Sequence, residues 1–317
     1  MISHWDDART WRAEKGHIAA TWSSLTGRES RTVGLKRIRV DPGSWSTPLH
    51  LEGAEEEIFY VLGGSGVSVQ WGEGDDEPVG YEVREGDCLV HRALESAHTL
   101  QAGPDGIDVL AFGQRAYANG ITWLPRASVA WLGKTWASVG AEADHPWARE
   151  AAVGPPEIGE LSERPPSIVN AEDVEVVERE TATIGRRIRD LGRAAGSIRT
   201  GLRLSEISPG KLGSPPHCHS AEEEIFVVLE GDGHLLLWER EGVVEHEVRA
   251  GSVVVRVAGT GVAHAFRGGA SGLTLLLYGT RDSNDVCFYP RSGKVMFRGI
   301  GLVTRLGGPV DYWDGED

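Results

Sequence analysis

The 317 residues are 40% apolar and set 32 basic against 47 acidic side chains, a net charge of −15. That balance repels phosphate backbones and anionic lipid, so nucleic acid and membrane surfaces are excluded as partners, and no apolar run approaches the roughly 18 residues that span a bilayer. Three cysteines without regular spacing, Cys88, Cys218 and Cys287, give no disulfide framework and fit a reducing, cytoplasmic compartment.

The N-terminus, MISHWDDARTWRAEKG, lacks an apolar stretch and is read as no secretory signal. Its first dozen residues predict a short helix or an extra strand. Pro48 opens PLHLEGAEEE, and Ala54 opens AEEEIFYVLGGSG, read as a strand running into a Gly-rich turn. EVREGD from Glu82, FGQR from Phe112, Pro125-Arg126 and Trp147 follow. Residues 151–167 are rich in Pro, Gly and Glu and read as an exposed linker. The landmarks then return in the same order. AEEEIFVVLEGDG starts at Ala221, 167 residues after its first copy. EVRAGS, YGTR, Pro290-Arg291 and Trp313 keep offsets of 165 or 166. Residues 1–150 and 168–317 are thus two copies of one unit, each long enough to be a domain. Trp147 and Trp313 are expected to pin each copy's tail onto its core. Short strands bounded by glycines, with no long segment of 3.6-residue period, predict an all-β sandwich or barrel with little helix. Runs such as GLTLLLYGT and GSVVVRV predict burial on more than one face, hence packing of the copies together and a homodimer.

The second copy holds the strongest chemical signal, PHCHSAEEE from Pro216. In a strand His217 and His219 point the same way, roughly 6.6 Å apart along the backbone, and Cys218 points away. Four residues later Glu224 opens the next strand and can face the pair. Glu222 and Glu223 are expected to be solvated. AGTGVAHAF offers His264 as a fourth group. Three imidazoles and one carboxylate suit a divalent transition metal, Fe, Mn, Ni, Co, Cu or Zn, over Ca or Mg. The first copy offers His50, Glu52, Glu57 and His98, with Glu52 where the second histidine stands in the other copy. One ion per chain is expected, or two if this set also binds. Failing that, Glu52 needs a partner such as Arg92 or His91. His4, His17, His91, His145, His234 and His246 lack ligand spacing and are expected to be surface or satisfied polar residues.

Gly210, His217, His219, Glu224 and Gly231, followed by Gly251, Gly259 and His264, resemble the two motifs of the cupin superfamily. The second motif departs from the family pattern at Val257, which stands for a proline, and in the spacing from Gly259 to His264. In the first copy Leu94 replaces the motif glycine. The resemblance implies two tandem double-stranded β-helix (jelly-roll) barrels, a bicupin, with a metal inside. NDVCFYPRSGK from Asn284 is also similar to uncharacterised bacterial cupins, a similarity that carries no activity. For function, the resemblance implies a dioxygenase-type oxidoreductase acting on a small organic acid or phenolic. The alternatives are a sugar or polar-acid isomerase, epimerase or lyase, and a non-enzymic small-molecule binder.

Overall fold

Strands are the main element of the computed structural model, which describes residues 2–27, 30–115, 120–132, 135–136 and 145–307. Among these, the only α-helices are Pro146–Val153 and the single turn Leu191–Ala194. No helix among them is long and apolar enough to cross a membrane. Among the described residues the paired strands run antiparallel and fall into two eight-stranded and two four-stranded sheets.

The first large sheet runs Ile168–Asn170, Asp87–His91, Glu57–Gly72, Ser96–Gln114, Val33–Val40, Ile18–Ser24 and Arg9–Lys15 in space, with Val79–Arg84 also on Glu57–Gly72. The second runs Ile2–His4, Ser252–Arg256, Glu224–Glu239, Ala263–Thr280, Thr200–Ile207, Gly185–Arg189 and Val177–Glu180, with Gly242–Arg249 also on Glu224–Glu239. Each small sheet closes one barrel. Leu51–Glu52 joins Ile121–Leu124 and Val129–Leu132 in one, and Cys218–His219 joins Val286–Tyr289, Lys294–Phe297 and Leu302–Arg305 in the other. The two barrels repeat each other strand for strand, as the duplicated sequence requires.

The Gly-rich stretches are bends within a strand rather than turns between two strands. Glu57–Gly72 and Glu224–Glu239 each continue for 16 residues, with register shifts at Val61/Gly63 and Gly64/Gly66, and at Val228/Glu230 and Gly231/Gly233. The bend demands glycine. Gly64 and Gly231 have φ of +81° and +77°, and a Cβ on either would fall 2.3 or 2.2 Å from the carbonyl oxygen of Gly106 or Gly272. The bend lets one long strand serve both walls of a barrel.

The copies trade their first strands. Ile2, Ser3 and His4 pair with Val254, Val253 and Ser252 of the second barrel, and Ile168, Val169 and Asn170 pair with Leu89, Cys88 and Asp87 of the first. A one-turn 3-10 helix follows each, capped by the side chain of His4 or Asn170. So the first residues of each copy form an extra strand, but in the other barrel.

The largest buried cluster draws on both copies, with Leu35, Ile58, Leu110 and Phe112 packing with Leu202, Ile225, Leu276 and Tyr278. Phe112 and Tyr278, matching positions in the repeat, meet with ring centroids 5.0 Å apart. Two buried carboxylates flank this core. Glu56 accepts hydrogen bonds from the backbone of Ile198, Arg199 and Thr200 and from the hydroxyls of Ser197 and Thr200. Glu223 accepts from Arg31 N, Thr32 N and the Thr32 hydroxyl. Glu223 is 1% exposed and Glu222 3%, which overturns the expectation that they are solvated. Glu222 instead pairs with Arg298 and accepts from Asp282 N. Trp147 packs on the first barrel with its ring 5.6 Å from that of Trp22; Trp313 lies outside the described residues.

Candidate metal centre

In the second barrel, three histidines converge on the carboxylate of Glu224. His217 lies just before Cys218–His219 and bridges His264, at the start of Ala263–Thr280. Glu224 opens the long bent strand beside them. Glu224 Oε2 is 3.1 Å from His264 Nε2 and 3.6 Å from His219 Nε2. Ligand atoms of His217, Glu224 and His264 lie within 4.8 Å of one another. His217 Nδ1 donates to Pro215 O at 2.8 Å and His219 Nδ1 donates to Asp285 Oδ2 at 2.7 Å, so both rings turn Nε2 inward as a lone pair. His219 Nε2, His264 Nε2 and Glu224 Oε2 are buried without a directed hydrogen bond. Three orphaned buried polar atoms around one point are costly unless something charged sits between them. One divalent cation satisfies all three, so the residues fit a metal ion.

The electrostatics agree with that fit. Burial, then the neighbouring His264, draws the His217 imidazole down to about 4. Burial would raise Glu224, but the imidazole of His264 3.1 Å away, with His219 and His217, holds its carboxyl well below the usual range. Asp285, opposed by burial, is held at about 2 by the hydrogen bond from His219 and the backbone N–H groups of Ala221 and Glu222. Burial keeps His217 and His264 neutral beside the ionised Glu224, the forms that bind metals, whereas at His219 the hydrogen bond to Asp285 outweighs burial and raises the imidazole.

Three further residues enter the site, and they come from the segment NDVCFYPRSGK. Asp285 orients His219. Cys287 faces His219 directly across the small sheet. Its sulfur lies within 4.8 Å of one nitrogen each of His217 and His219. Tyr289 stacks on His217 at 5.8 Å, and burial pushes the Cys287 thiol up to about 12. Cys218 pairs with Phe288 and, with Glu222, borders the cavity of this site without joining the His217, His219 and Cys287 cluster. A fourth residue, Arg256, pairs with Glu224 in register, is largely buried, and donates from Nη2 to Val262 O while its Nε has no partner. Arg256 lines a cavity of about 10 Å³ together with His219, Glu224, Thr260 and His264, room for one ion or water. Arg256 ends an apolar strand, and an arginine at the close of VVVR is the only sequence signal of it.

The first barrel gathers His50, Glu57 and His98 in the same way. His98 Nε2 is 3.1 Å and His50 Nε2 3.8 Å from Glu57 Oε2, and His50 Nδ1 donates to Pro48 O. Glu52 takes the place of His219, with an oxygen 3.8 Å from His50 Nε2. Its partner is neither Arg92 nor His91, as expected, but Thr122, whose hydroxyl hydrogen-bonds the carboxylate at 3.0 Å. Arg92 turns away to Glu95 and Gly196 O. Burial, then the charge of Glu57, raises the Glu52 carboxyl to about 7. His91, expected at the surface or satisfied, is buried and lies flat against His98, ring centroids 3.8 Å apart, with Nδ1 unpartnered. Burial, then the adjacent His98, holds His91 well below its usual value, and so neutral, in the place that Arg256 fills in the second barrel.

Comparison with known proteins agrees with this architecture. A family model described as Cupin domain matches residues 203–276. No curated protein matches at the level of sequence. Among solved structures, a serine-to-alanine mutant of Bacillus subtilis oxalate decarboxylase superposes with a TM-score of 0.62 at 20% identity, covering 88% of this chain and 76% of that one. A Lactobacillus farciminis oxalate decarboxylase in a formate complex gives 0.60 at 17% identity, covering 89% and 86%. The chain thus has a bicupin fold, two tandem cupin barrels from an internal duplication, with His/Glu clusters suited to a divalent transition-metal ion.

Proposed function

We propose that the second barrel holds one divalent transition-metal ion through His217, His219, Glu224 and His264 and acts there as a lyase on a small carboxylic acid. The observation that carries this reading is Arg256, a buried guanidinium with an unpartnered Nε in the same cavity as three of the four ligands. A buried cation with free hydrogen-bonding capacity, next to a metal position, is suited to an anion, and a planar carboxylate is the match for a guanidinium. When bound, the metal supplies Lewis acidity that polarises a substrate oxygen and stabilises developing negative charge. Arg256 binds and orients the carboxylate, and the apolar walls from Val257 and Val262 exclude water. The similarity to structures named oxalate decarboxylase supports a lyase, the alternative reading, over the dioxygenase reading. The size of the cavity favours a very small acid over a phenolic, because the loop at residues 257–262 has least to yield for the smallest substrate.

The test is incubation of metal-analysed protein with oxalate and other two- to four-carbon acids, following acid loss, carbon dioxide release and oxygen uptake together. Acid loss with carbon dioxide release and no stoichiometric oxygen consumption is the expected result. Oxygen consumed in proportion to substrate would return the assignment to a dioxygenase, and melting shifts without turnover to a binding protein. Arg256→Ala should lower kcat/KM by about 10–100-fold through loss of a charge-assisted hydrogen bond, mainly in KM.

A further inference from the structure

We propose that Cys287 gives the second barrel an additional ligand set, His217, His219 and Cys287, which takes thiophilic ions such as Cd(II), Co(II) or Zn(II) through sulfur. This proposal rests on the reading that this cavity binds a metal, and it adds a donor that the 3-His-1-Glu set does not contain.

The geometry comes from the small sheet. In an antiparallel pair, residues directly opposite project from the same face. Cys287 is opposite His219, so a thiol accompanies an inward imidazole. One nitrogen of each histidine and the sulfur lie within 4.8 Å of one another, compatible with bonds of about 2.0–2.3 Å to a common ion. The thiol does not stand alone as a signal: His219 Nε2 is buried with no hydrogen-bond partner, and its ring is fixed from behind by Asp285. Cys287 itself is 3% exposed, away from bulk solvent.

The first barrel acts as an internal control. There the residues opposite each other are Glu52 and Thr122. Imidazole plus thiol in one copy is replaced by carboxylate plus hydroxyl in the other, so both members become harder donors. Soft thiolates select Zn, Cd and Cu(I), whereas carboxylates suit Mn and Mg. On binding, the Cys287 S–H bond breaks, its proton leaves to solvent, and the sulfur lone pair forms the bond to the ion; the imidazoles donate lone pairs and nothing is oxidised or reduced.

Sulfur-to-metal charge transfer provides a readout independent of activity. Full-length protein stripped of metal is titrated with Co(II) and Cd(II), recording near-ultraviolet absorption and, separately, binding heat. The expected result is a charge-transfer band that saturates at one ion per chain, persists in Cys218→Ser and disappears in Cys287→Ser and Cys287→Thr. Cd(II) affinity in those two variants falls on the order of 10-fold or more, by analogy with other ligand-shell losses, while Mn(II) binding is retained. Cys287→Thr installs the residue of the first barrel, so it keeps the test valid if the serine variant folds poorly. Ion binding by heat with no charge-transfer band overturns the role of Cys287 and leaves the metal centre standing. A band that follows Cys218 also overturns it. Absence of any binding overturns both readings.

Discussion

At the residue scale, the second barrel owes its metal readiness to one carboxylate outside the ligand set. Asp285 accepts from His219 Nδ1 at 2.7 Å and from two backbone N–H groups, which fixes the ring with Nε2 inward. Asp285→Asn should keep the fold and weaken metal binding about 10–100-fold, measured by competition with a chelating dye; unchanged affinity would show that the packing around His219 is sufficient. His219→Ala should remove the ion altogether, and elemental analysis of purified variant and parent checks it. With that variant as background, a titration reports on the first barrel alone. His50, Glu57 and His98 should give weaker binding that Glu52→His strengthens, because the substitution restores an imidazole in the position of His219. That His217, His219 and Glu224 come together was legible from the two-residue strand period and their spacing, and His264 joined them through the motif order despite its altered spacing. Asp285, Cys287 and Arg256 were not legible, because their roles depend on which strands become neighbours across the barrel, and a single sequence does not record those pairings. His91 shows the same limit from the other side: its spacing marks nothing, yet its strand places it flat against His98.

At the element scale, the decisive feature is the glycine bend in the long strands. EEIFVVLEGDG looks like a strand and a turn because glycine normally ends a strand, and only the close approach of Gly272 O explains why the chain continues instead. Gly231→Ala should cost at least about 1 kcal/mol, since it forces both an unfavourable φ and a collision with backbone that has no room to move. Chemical denaturation of Gly231→Ala and of Gly64→Ala should show losses of similar size, the bends being equivalent. A change at exposed Gly74, where an added Cβ meets nothing, should cost less, although its positive φ keeps that cost above zero. The duplication, the all-β class and the position of the candidate ligands on or beside strands were readable from repeats and alternation. The span of each strand was not, because tertiary closure decides whether a glycine bends a strand or breaks it.

For the whole molecule, the shared core makes the two copies one folding unit. Because the largest cluster and the Glu56 and Glu223 contacts cross between barrels, unfolding should be a single calorimetric transition, and either copy expressed alone should fail to give a cooperative one. Glu56 also sets an acid limit. Burial would raise its carboxyl, but the backbone of Ile198 and the hydroxyls of Thr200 and Ser197 hold it below its usual 4.5. Its contribution is therefore complete above pH 4.5 and is lost as pH falls through the lower folded value. The melting temperature of the parent should exceed that of Glu56→Gln at neutral pH, and the gap should close in acid; a constant gap would mean that the side chain acts through shape alone. Light scattering across micromolar concentrations tests the expected homodimer, with a strictly monomeric mass as the contrary result. The traded first strands impose a further order of events. Ile2–His4 waits for Ser252–Arg256, the strand that ends in the guanidinium of the second site. During synthesis Ile2–His4 thus stays without this partner until Ser252–Arg256 has left the ribosome, and a change at Ile2 would be felt in the other barrel, beside Arg256.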